Sequence, residues 1–252
     1  GSIAEGSLVV LSGDCPLITP ETIQALIAKR EETGAAVVVL TMHMDDPFGY
    51  GRIVREGEAV VRIVEQKDAN DQEAAITECN SGFYCFDAPA LFDALSRVSN
   101  DNAQGEYYLT DVLEICRNDG REVLALQTAD AEEAMGVNSR VQLAQATHAM
   151  QHRINNRHMM AGVTMWDPES TFIGPDVEIA QDVELWPQTY LLGTTKVGSH
   201  SVIGPNTRLT DTQVGCGARV DETVAIEAQI DDAAECGPRA YLRPGTHLCE
   251  GA

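Results

Sequence analysis

The sequence is poor in basic residues. Lys and Arg together number 17 against 39 Asp and Glu, which gives a formal net charge of -22 at pH 7. A surface field of this sign repels nucleic acid and anionic lipid, so the composition argues against both as partners. A protein of this charge that handles phosphates needs a local metal ion or a local basic cluster.

Long apolar runs are also missing. No stretch approaches the ~20 residues that span a bilayer, and the opening residues GSIAEGS have neither a basic start nor an apolar signal core. The seven cysteines are widely spaced, without a Cys-x-x-Cys pair that would indicate zinc or redox chemistry. We therefore expect a cytoplasmic protein with reduced thiols and no membrane insertion.

The first part of the chain alternates between strand and helix patterns. An apolar run at 8–12 ends in Gly13 and Asp14, a helix follows that Thr19 can cap and Gly34 can end, and a second apolar run covers 35–42. A strand, a helix and a strand in this order predict a parallel unit with a right-handed crossover. Further strands are predicted at 52–66 (two, around the turn Glu56-Gly57-Glu58), 78–86 and 122–128, and further helices at 88–98 and 107–118, so the sheet should be mixed.

A different pattern follows a stretch without Gly or Pro. Residues 139–160 predict one connecting helix with Asn138 as its N-cap and with His152 and His158 at its surface. Apolar residues then recur at a spacing of six, at Ile173, Ile179, Leu185, Leu191, Val197, Ile203 and Leu209. The phase slips by one to Val214, Val220 and Ile226, and again to Ile230, Cys236, Leu242 and Leu248. A period of six predicts a parallel β-helix in which each hexad forms one face of a triangular coil.

Six short motifs carry a family resemblance. They are LSGDCPL (11–17), GYGRIV (49–54), IVEQKDA (63–69), ECNSGFY (78–84), EYYLTD (106–111) and GVNSR (136–140). In this order, and followed by hexapeptide repeats, they resemble the bifunctional N-acetylglucosamine-1-phosphate uridylyltransferase/glucosamine-1-phosphate acetyltransferase family over essentially the whole chain.

The resemblance implies a fold and a domain order. A Rossmann-like α/β nucleotidyltransferase domain with a mixed sheet is expected at 1–138, a linker helix at 139–160 and a left-handed parallel β-helix of hexapeptide repeats at 161–252. The family's Gly-rich phosphate loop and uracil-reading strand have no match before the first motif, and its later acetyltransferase residues have none after the last. Both domains are therefore expected to be partial, and the chain by itself is expected to turn over little substrate.

The resemblance also implies two reactions that make UDP-N-acetylglucosamine, a precursor of peptidoglycan. One transfers uridylyl from UTP to N-acetylglucosamine 1-phosphate and releases pyrophosphate. The other acetylates glucosamine 1-phosphate with acetyl-CoA as co-substrate. The family match makes Asp14 and Asn138 ligands of Mg²⁺, an ion that keeps waters and takes its remaining oxygens from substrate phosphates. By themselves, Asp14 is as well explained as a turn residue and Asn138 as a helix cap.

Four substrate-binding residues are implied by the same match. Gly51 would let its backbone approach the sugar nucleotide, Glu65 would accept from a sugar hydroxyl, and Asn80 would bind the N-acetylglucosamine. Arg243 would face the sugar phosphate of the acetyltransferase. Uridylyl transfer requires no side-chain nucleophile and the acetyltransferase base has no match here, so no catalytic residue is assigned. The family further implies a homotrimer assembled through its β-helices.

Two other interpretations stay open. The chain could be a monofunctional sugar-1-phosphate nucleotidyltransferase whose β-helix is structural, although Arg243 within LRPG favours the bifunctional family. It could instead be a non-catalytic regulatory subunit, although the joint presence of Asp14, Glu65, Asn80 and Asn138 argues against that.

Overall fold

The computed structural model describes residues 5–57 and 59–252, so Glu58 of the predicted 56–58 turn lies outside the described residues. The chain divides into two units, 1–146 and 147–252. Within the described ranges, no helix combines the length and the apolar character that a membrane span requires.

A six-stranded sheet with accompanying helices makes up the described part of the first unit. The strands are β1 (Ser7–Val10), β2 (Val37–His43), β3 (Arg52–Glu56), β4 (Ala59–Val64), β5 (Glu78–Asp87) and β6 (Val123–Gln127). The helices are α1 (Pro20–Thr33), α2 (Asp71–Ala74), α3 (Ala88–Leu95) and α4 (Asp111–Asn118), followed by a 3-10 turn at Ala131–Ala134. A fifth helix, α5 (Arg140–Met160), begins in this unit and continues into the second.

Helix α1 begins and ends where the sequence predicts. The Thr19 hydroxyl accepts the Thr22 N–H at 3.2 Å, and Pro20 fills the first helical position. Gly34 follows the last turn in the left-handed conformation, with φ 69°, and donates its N–H to the Arg30 carbonyl. Both predicted helix boundaries are confirmed.

Strand β5 organises the sheet. Its residue Cys85 is paired antiparallel with Val9 of β1 on one side and with Val38 of β2 on the other. Strand β3 is also antiparallel to β5, whereas β2 and β6 are parallel. The mixed sheet is confirmed. β1 and β2 run in the same direction, as the predicted crossover requires, but a strand from later in the chain separates them. Residues 37–42 are all buried, as expected of a strand covered on both faces.

Helix α5 has the predicted extent but a different cap. The Ser139 hydroxyl accepts the Gln142 N–H at 3.2 Å, while Asn138 presents its backbone N–H to the Gln142 side chain. Ser139, not Asn138, therefore caps α5, because its oxygen is the one within reach of the free N–H groups of the first turn. The surface prediction holds for His152 and is wrong for His158, which is buried. Burial and then the Arg157 charge lower the pKa of the His158 imidazole.

The second unit is a parallel β-helix, consistent with the predicted left-handed form. Its short strands assemble into three parallel sheets of five strands each among the described residues. The strands are β7 (Thr164–Met165), β8 (Phe172–Ile173), β9 (Glu178–Ile179), β10 (Glu184–Leu185), β11 (Tyr190–Leu192), β12 (Lys196–Val197), β13 (Val202–Ile203), β14 (Arg208–Thr210), β15 (Gln213–Val214), β16 (Arg219–Val220), β17 (Val224–Ile226), β18 (Gln229–Ile230), β19 (Glu235–Cys236), β20 (Tyr241–Leu242) and β21 (His247–Leu248). A 3-10 turn spans Pro168–Ser170.

The predicted hexad residues form the interior columns, with one correction. The seven residues at strict spacing each lie on a separate strand, and Leu185, Leu191, Ile203 and Leu209 are fully buried. In β17 the inward position belongs to Ala225, which is paired with Leu209 and has no exposed surface. The predicted Ile226 is only half-buried and pairs with Thr210. The prediction of Ile226 is wrong because the face of the coil that ends at β17 is one residue shorter than a hexad, so that the inward residue comes one position earlier.

Candidate functional site

Asp14 and Asn138 lie together over a glycine. The loop after β1 carries Asp14, whose carbonyl accepts the Val137 N–H at 2.8 Å. A Cβ placed on Gly136 would lie 3.3 Å from Asp14 Oδ2 and 3.5 Å from Asn138 Nδ2. The two predicted metal-side residues are therefore brought to the same place, and the missing side chain of Gly136 leaves the space between them open. Rotation of the Asn138 amide about its terminal torsion presents either its oxygen or its nitrogen to that space.

The neighbouring thiol is not a nucleophile. Cys15 Sγ lies 3.8 Å from Asp14 Oδ1 and 3.7 Å from the Ala134 carbonyl. Burial and then the Asp14 charge raise the pKa of the Cys15 thiol to about 11. At neutral pH the thiol keeps its proton and acts as a weak donor toward the carboxylate.

Gly51, Glu65 and Asn80 also converge. A Cβ on Gly51 would lie 2.9 Å from Ile63 Cγ2, 3.4 Å from Glu65 Oε1 and 3.5 Å from Asn80 Cβ. The Asn80 N–H donates to the Gly51 carbonyl at 2.8 Å, which fixes the start of β3 against β5. Three predicted substrate residues from three neighbouring strand segments thus border one space, which a side chain at position 51 would enter.

A buried arginine holds the loop that carries Gly51. The Arg52 side chain is 1% exposed and donates to the Tyr50 carbonyl, to Gln66 Oε1 and to the Ala74 carbonyl. Gln66 Oε1 also accepts the Gly49 N–H at 3.0 Å. These bonds tie the GYG segment to the end of β4. Arg52 is therefore a structural cation and not a substrate-facing one.

Tyr84 anchors the amide of Asn80. Both residues lie on β5, four positions apart and hence on the same face. Asn80 Nδ2 donates to the Tyr84 hydroxyl at 2.7 Å, and Asn80 Oδ1 accepts the Gly82 N–H at 3.0 Å. Burial raises the pKa of the Tyr84 phenol, so it stays neutral. The Asn80 amide is held in one orientation, with one further hydrogen and one further lone pair left for a ligand.

Glu65 is a partly buried carboxylate without a cationic partner among its described contacts. The Thr110 hydroxyl donates to Glu65 Oε1 at 3.3 Å. Burial raises the pKa of the Glu65 carboxyl; the Thr110 bond opposes this, and the charges of Asp68 and Asp111 add to it. The ionised carboxylate is therefore short of donors, which a sugar hydroxyl would supply.

The two groups of residues are linked within the first unit. The Ser12 hydroxyl donates to the Gly82 carbonyl at 3.4 Å, which places the loop that ends in Asp14 beside the β5 segment that carries Asn80. Tyr50 packs against the cluster that contains Cys15 and Cys79. Burial, then the charges of Cys15, Cys79 and Asp14, raise the pKa of the Tyr50 phenol, which stays neutral. Tyr50 is thus a neutral group near both.

Removal of the Glu65 charge should stabilise the first unit at neutral pH. Because the folded pKa of this carboxyl is raised, the native state binds its proton more tightly than the unfolded chain does. That contribution is full at acid pH and is lost as the pH rises through the folded value. Glu65→Gln should therefore gain stability over wild type as the pH increases from 5 to 8. Urea unfolding followed by labelling of the buried thiols Cys85 and Cys116 measures this unit.

The control for this prediction removes an exposed charge. Glu32 is exposed on α1, so Glu32→Gln makes the same change in net charge but removes a carboxylate that is not buried. An equal, pH-independent gain in both variants would show that burial of Glu65 is not responsible.

Arg243 lies in the second unit. It is exposed on the turn after β20, where its carbonyl accepts the Thr246 N–H at 3.0 Å. Sequence reasoning missed the residues that hold the site in the first unit, namely Ser12, Tyr50, Tyr84, Thr110 and Gly136. Only Tyr84 had a local signal, since a residue four positions from Asn80 on a strand shares its face.

Comparison with known proteins supplies the family. A model of the family described as Nucleotidyl transferase matches residues 2–167. The chain belongs to the nucleotidyl transferase family.

Among curated proteins, this family member is similar to several called Bifunctional protein GlmU. One from Exiguobacterium sibiricum is 51% identical over 95% of this chain and 54% of its own length. One from Streptomyces avermitilis is 49% identical over 98% of this chain and 52% of its own length. The chain thus spans about half the length of the curated relatives it matches. A solved structure from Bacillus anthracis, described as a putative glucose-1-phosphate thymidylyltransferase, aligns over 57% of this chain and 54% of that one, with 20% identity and a TM-score of 0.44.

Proposed function

We propose that the first unit binds the sugar and diphosphate of UDP-N-acetylglucosamine between the two groups of side chains described above. The observation that carries this proposal is the convergence of Gly51, Glu65 and Asn80 on one space. An open stretch of backbone, a carboxylate that lacks donors and an oriented amide are suited to a hydroxylated, N-acetylated sugar.

Asp14 and Asn138 are the residues proposed to hold Mg²⁺. A carboxylate and an amide oxygen suit this ion, which prefers oxygen and binds through few protein ligands. The space above Gly136 fits such a group, and helix capping by Ser139 does not consume the Asn138 amide. When bound, Mg²⁺ would neutralise charge on the phosphates during transfer. This answers the need for a local cation that the acidic composition creates.

The reaction proposed for the complete enzyme is uridylyl transfer from UTP to N-acetylglucosamine 1-phosphate. An ionised oxygen of the sugar phosphate attacks the α-phosphorus of UTP. The bond from that phosphorus to the bridging oxygen breaks, and pyrophosphate leaves with the electron pair. The chain's own residues align the sugar: Glu65 accepts from a hydroxyl and Asn80 binds the N-acetyl group. No side chain acts as a nucleophile, so the rate comes from alignment and charge stabilisation.

The second unit is proposed to contribute to acetyl transfer from acetyl-CoA to glucosamine 1-phosphate. The names of the relatives and the hexad coils support this, and the exposed Arg243 is accessible to a phosphate group. In this proposal residues 1–138 serve the first reaction, 139–160 are the linker, 161–252 serve the second, and the complete protein is a homotrimer. The 252 residues alone are proposed to turn over little, since no basic phosphate loop is matched within them.

Loss of the Asn80 amide tests the sugar assignment. The assay uses a hybrid enzyme in which the Exiguobacterium sibiricum relative supplies the segments that this chain does not span. Asn80→Ala should lower kcat/KM for N-acetylglucosamine 1-phosphate roughly 5- to 150-fold, because a bound polar group loses its hydrogen-bond partner. This factor corresponds to a loss of about 1–3 kcal/mol of transition-state stabilisation. The loss for glucose 1-phosphate, which has no N-acetyl group, should be smaller. Pyrophosphate release measures both.

The exposed Asn100 provides the matched control. Asn100→Ala should leave both substrates unchanged. If Asn80→Ala leaves the ratio of the two substrates at its wild-type value, Asn80 does not bind the N-acetyl group and the sugar assignment is wrong.

A further inference from the structure

Two histidines and a glutamate of the second unit form a cluster that the proposed reactions do not use. His148 and His152 lie one turn apart on the same face of α5, and Glu169 lies in the 3-10 turn at Pro168–Ser170. One imidazole nitrogen from each histidine and one carboxylate oxygen all lie within 4.8 Å of one another. His152 Nε2 is 2.7 Å from Glu169 Oε1, and His148 Nε2 is 3.7 Å from Glu169 Oε2.

The cluster stands on a fixed backbone. Gln151, directly before His152 on α5, is buried and donates from Nε2 to the carbonyls of Pro168, Glu169 and Thr171 at 2.9 to 3.1 Å. Asn155 is also buried and donates to the Pro168 and Thr171 carbonyls, at 2.9 Å each. These bonds hold residues 168–171 against the helix. The packing therefore fixes the backbone of Glu169 beside the helix that carries the two histidines.

The donor set selects a class of ion. Two imidazole nitrogens and one carboxylate oxygen suit Zn²⁺ and similar divalent transition metals, whereas Mg²⁺ takes oxygen ligands. Bonds of about 2.0–2.1 Å in tetrahedral geometry set the ligand atoms roughly 3.3 Å apart. The separations of 2.7 and 3.7 Å, each to a different oxygen of Glu169, lie on either side of that spacing. The three candidate ligand atoms lie within 4.8 Å of one another, so side-chain rotation would have to bring them to the spacing that the ion requires.

A surface ion pair alone accounts for less of this arrangement. Such a pair needs one histidine, and exposed pairs contribute about 0–1 kcal/mol. Here a second imidazole faces the other oxygen of the same carboxylate, and the ring centroids of His148 and His152 lie 4.5 Å apart. All three side chains are exposed, which leaves a path for an ion and a fourth position for water.

We propose that His148, His152 and Glu169 bind one Zn²⁺ or a similar transition-metal ion, which fastens α5 to the turn at 168–170. This site is independent of the magnesium site proposed at Asp14 and Asn138 and would stand if that proposal failed. Its expected consequence is a stability of the second unit that depends on zinc and not on magnesium.

Titration of the 252-residue chain with Zn²⁺ in excess Mg²⁺ tests the site. Exposed thiols also bind zinc, so the background carries Cys216→Ser and Cys249→Ser. Isothermal calorimetry should then give one Zn²⁺ per chain. His148→Ala, His152→Ala and Glu169→Gln should each weaken binding at least tenfold, and the double histidine variant should abolish it. Zn²⁺ should raise the Tm of the parent, but not of the double variant.

His200 supplies the matched control, because it is an exposed histidine beside a carboxylate, with Nδ1 4.0 Å from Asp182 Oδ2, and has no second imidazole in that pair. His200→Ala should bind Zn²⁺ like the parent. Circular dichroism of each variant should match the parent, since the changed side chains are exposed. A parent that binds no zinc, or variants at 148, 152 and 169 that bind as tightly as His200→Ala, would overturn the proposal.

Discussion

Leu209→Ala is expected to destabilise the second unit by about 2–5 kcal/mol, the largest single effect on stability that we predict. Leu209 is fully buried and occupies the middle of an interior column formed by Ile173, Leu191, Leu209, Ala225 and Leu242. Truncation removes apolar contacts and opens a cavity. The paired position on the next strand is Ala225, which is too small to fill the space. Little relaxation is available, so the cost should lie in the upper part of that range.

Urea unfolding followed by tryptophan fluorescence measures this effect. Both tryptophans, Trp166 and Trp186, lie in the second unit, so the signal is specific for it. Arg208→Ala changes the adjacent residue, which points outward and is exposed, and should alter stability by less than about 0.5 kcal/mol. Equal destabilisation by the two variants would contradict the alternation of inward and outward residues on which the β-helix rests.

Asp14→Asn is expected to remove the Mg²⁺ dependence of ligand binding in the first unit. The substitution keeps the shape of the side chain but replaces a charged ligand with a neutral one. Changing a residue that only hydrogen-bonds a metal ligand typically lowers metal affinity by about 10–100-fold, so loss of a direct ligand should lower it by at least about as much. Calorimetric titration of the hybrid enzyme with UDP-N-acetylglucosamine, with and without Mg²⁺, gives the coupling between metal and ligand.

Wild type should bind UDP-N-acetylglucosamine more tightly when Mg²⁺ is present, and Asp14→Asn should show no such increase. Asp45→Asn removes an exposed carboxylate from the same unit and should behave as wild type. If Asp14→Asn retains the full Mg²⁺ effect, the metal is held elsewhere, and the proposal that Asp14 and Asn138 bind it is wrong.

Periodicity predicts much of the fold because the interior of a β-helix is built from local repeats. Every strand from β8 to β14 carries its inward residue at the predicted spacing of six. The spacing fails at β17, where one face of the coil is a residue short and Ala225 points inward in place of Ile226. Alanine carries too weak an apolar signal to be chosen over a neighbouring isoleucine. The pairing of Leu209 with Ala225 settles the register, and pairing between coils is invisible in a linear pattern.

The sheet of the first unit was less predictable, because its order depends on contacts between distant segments. Strand β5 lies between β1 and β2, although both precede it in the chain. Local patterns predict that each strand exists, but not which strand pairs with which.

The candidate site shows the same limit. Asp14, Gly51, Glu65 and Asn80 were predicted from motif resemblance, and composition alone explained them as turn and surface residues. The structure brings Gly51, Glu65 and Asn80 to one space. The Thr110 hydroxyl that bonds to Glu65 comes from a segment 45 residues away, which no local pattern connects to it. Burial and this long-range contact set the pKa of Glu65, whereas the Asn80 amide is oriented by Tyr84 and Gly82, which are close to it in the sequence.

A structure of the hybrid enzyme with UDP-N-acetylglucosamine and Mg²⁺ would show directly whether the first unit holds the sugar and the metal at the proposed residues. We expect the sugar to lie against the Gly51 backbone, with a hydroxyl on Glu65 and the N-acetyl group on Asn80. We also expect the metal to join the diphosphate to Asp14 and Asn138. A sugar bound away from Glu65 and Asn80, or a metal that contacts neither Asp14 nor Asn138, would contradict the proposal.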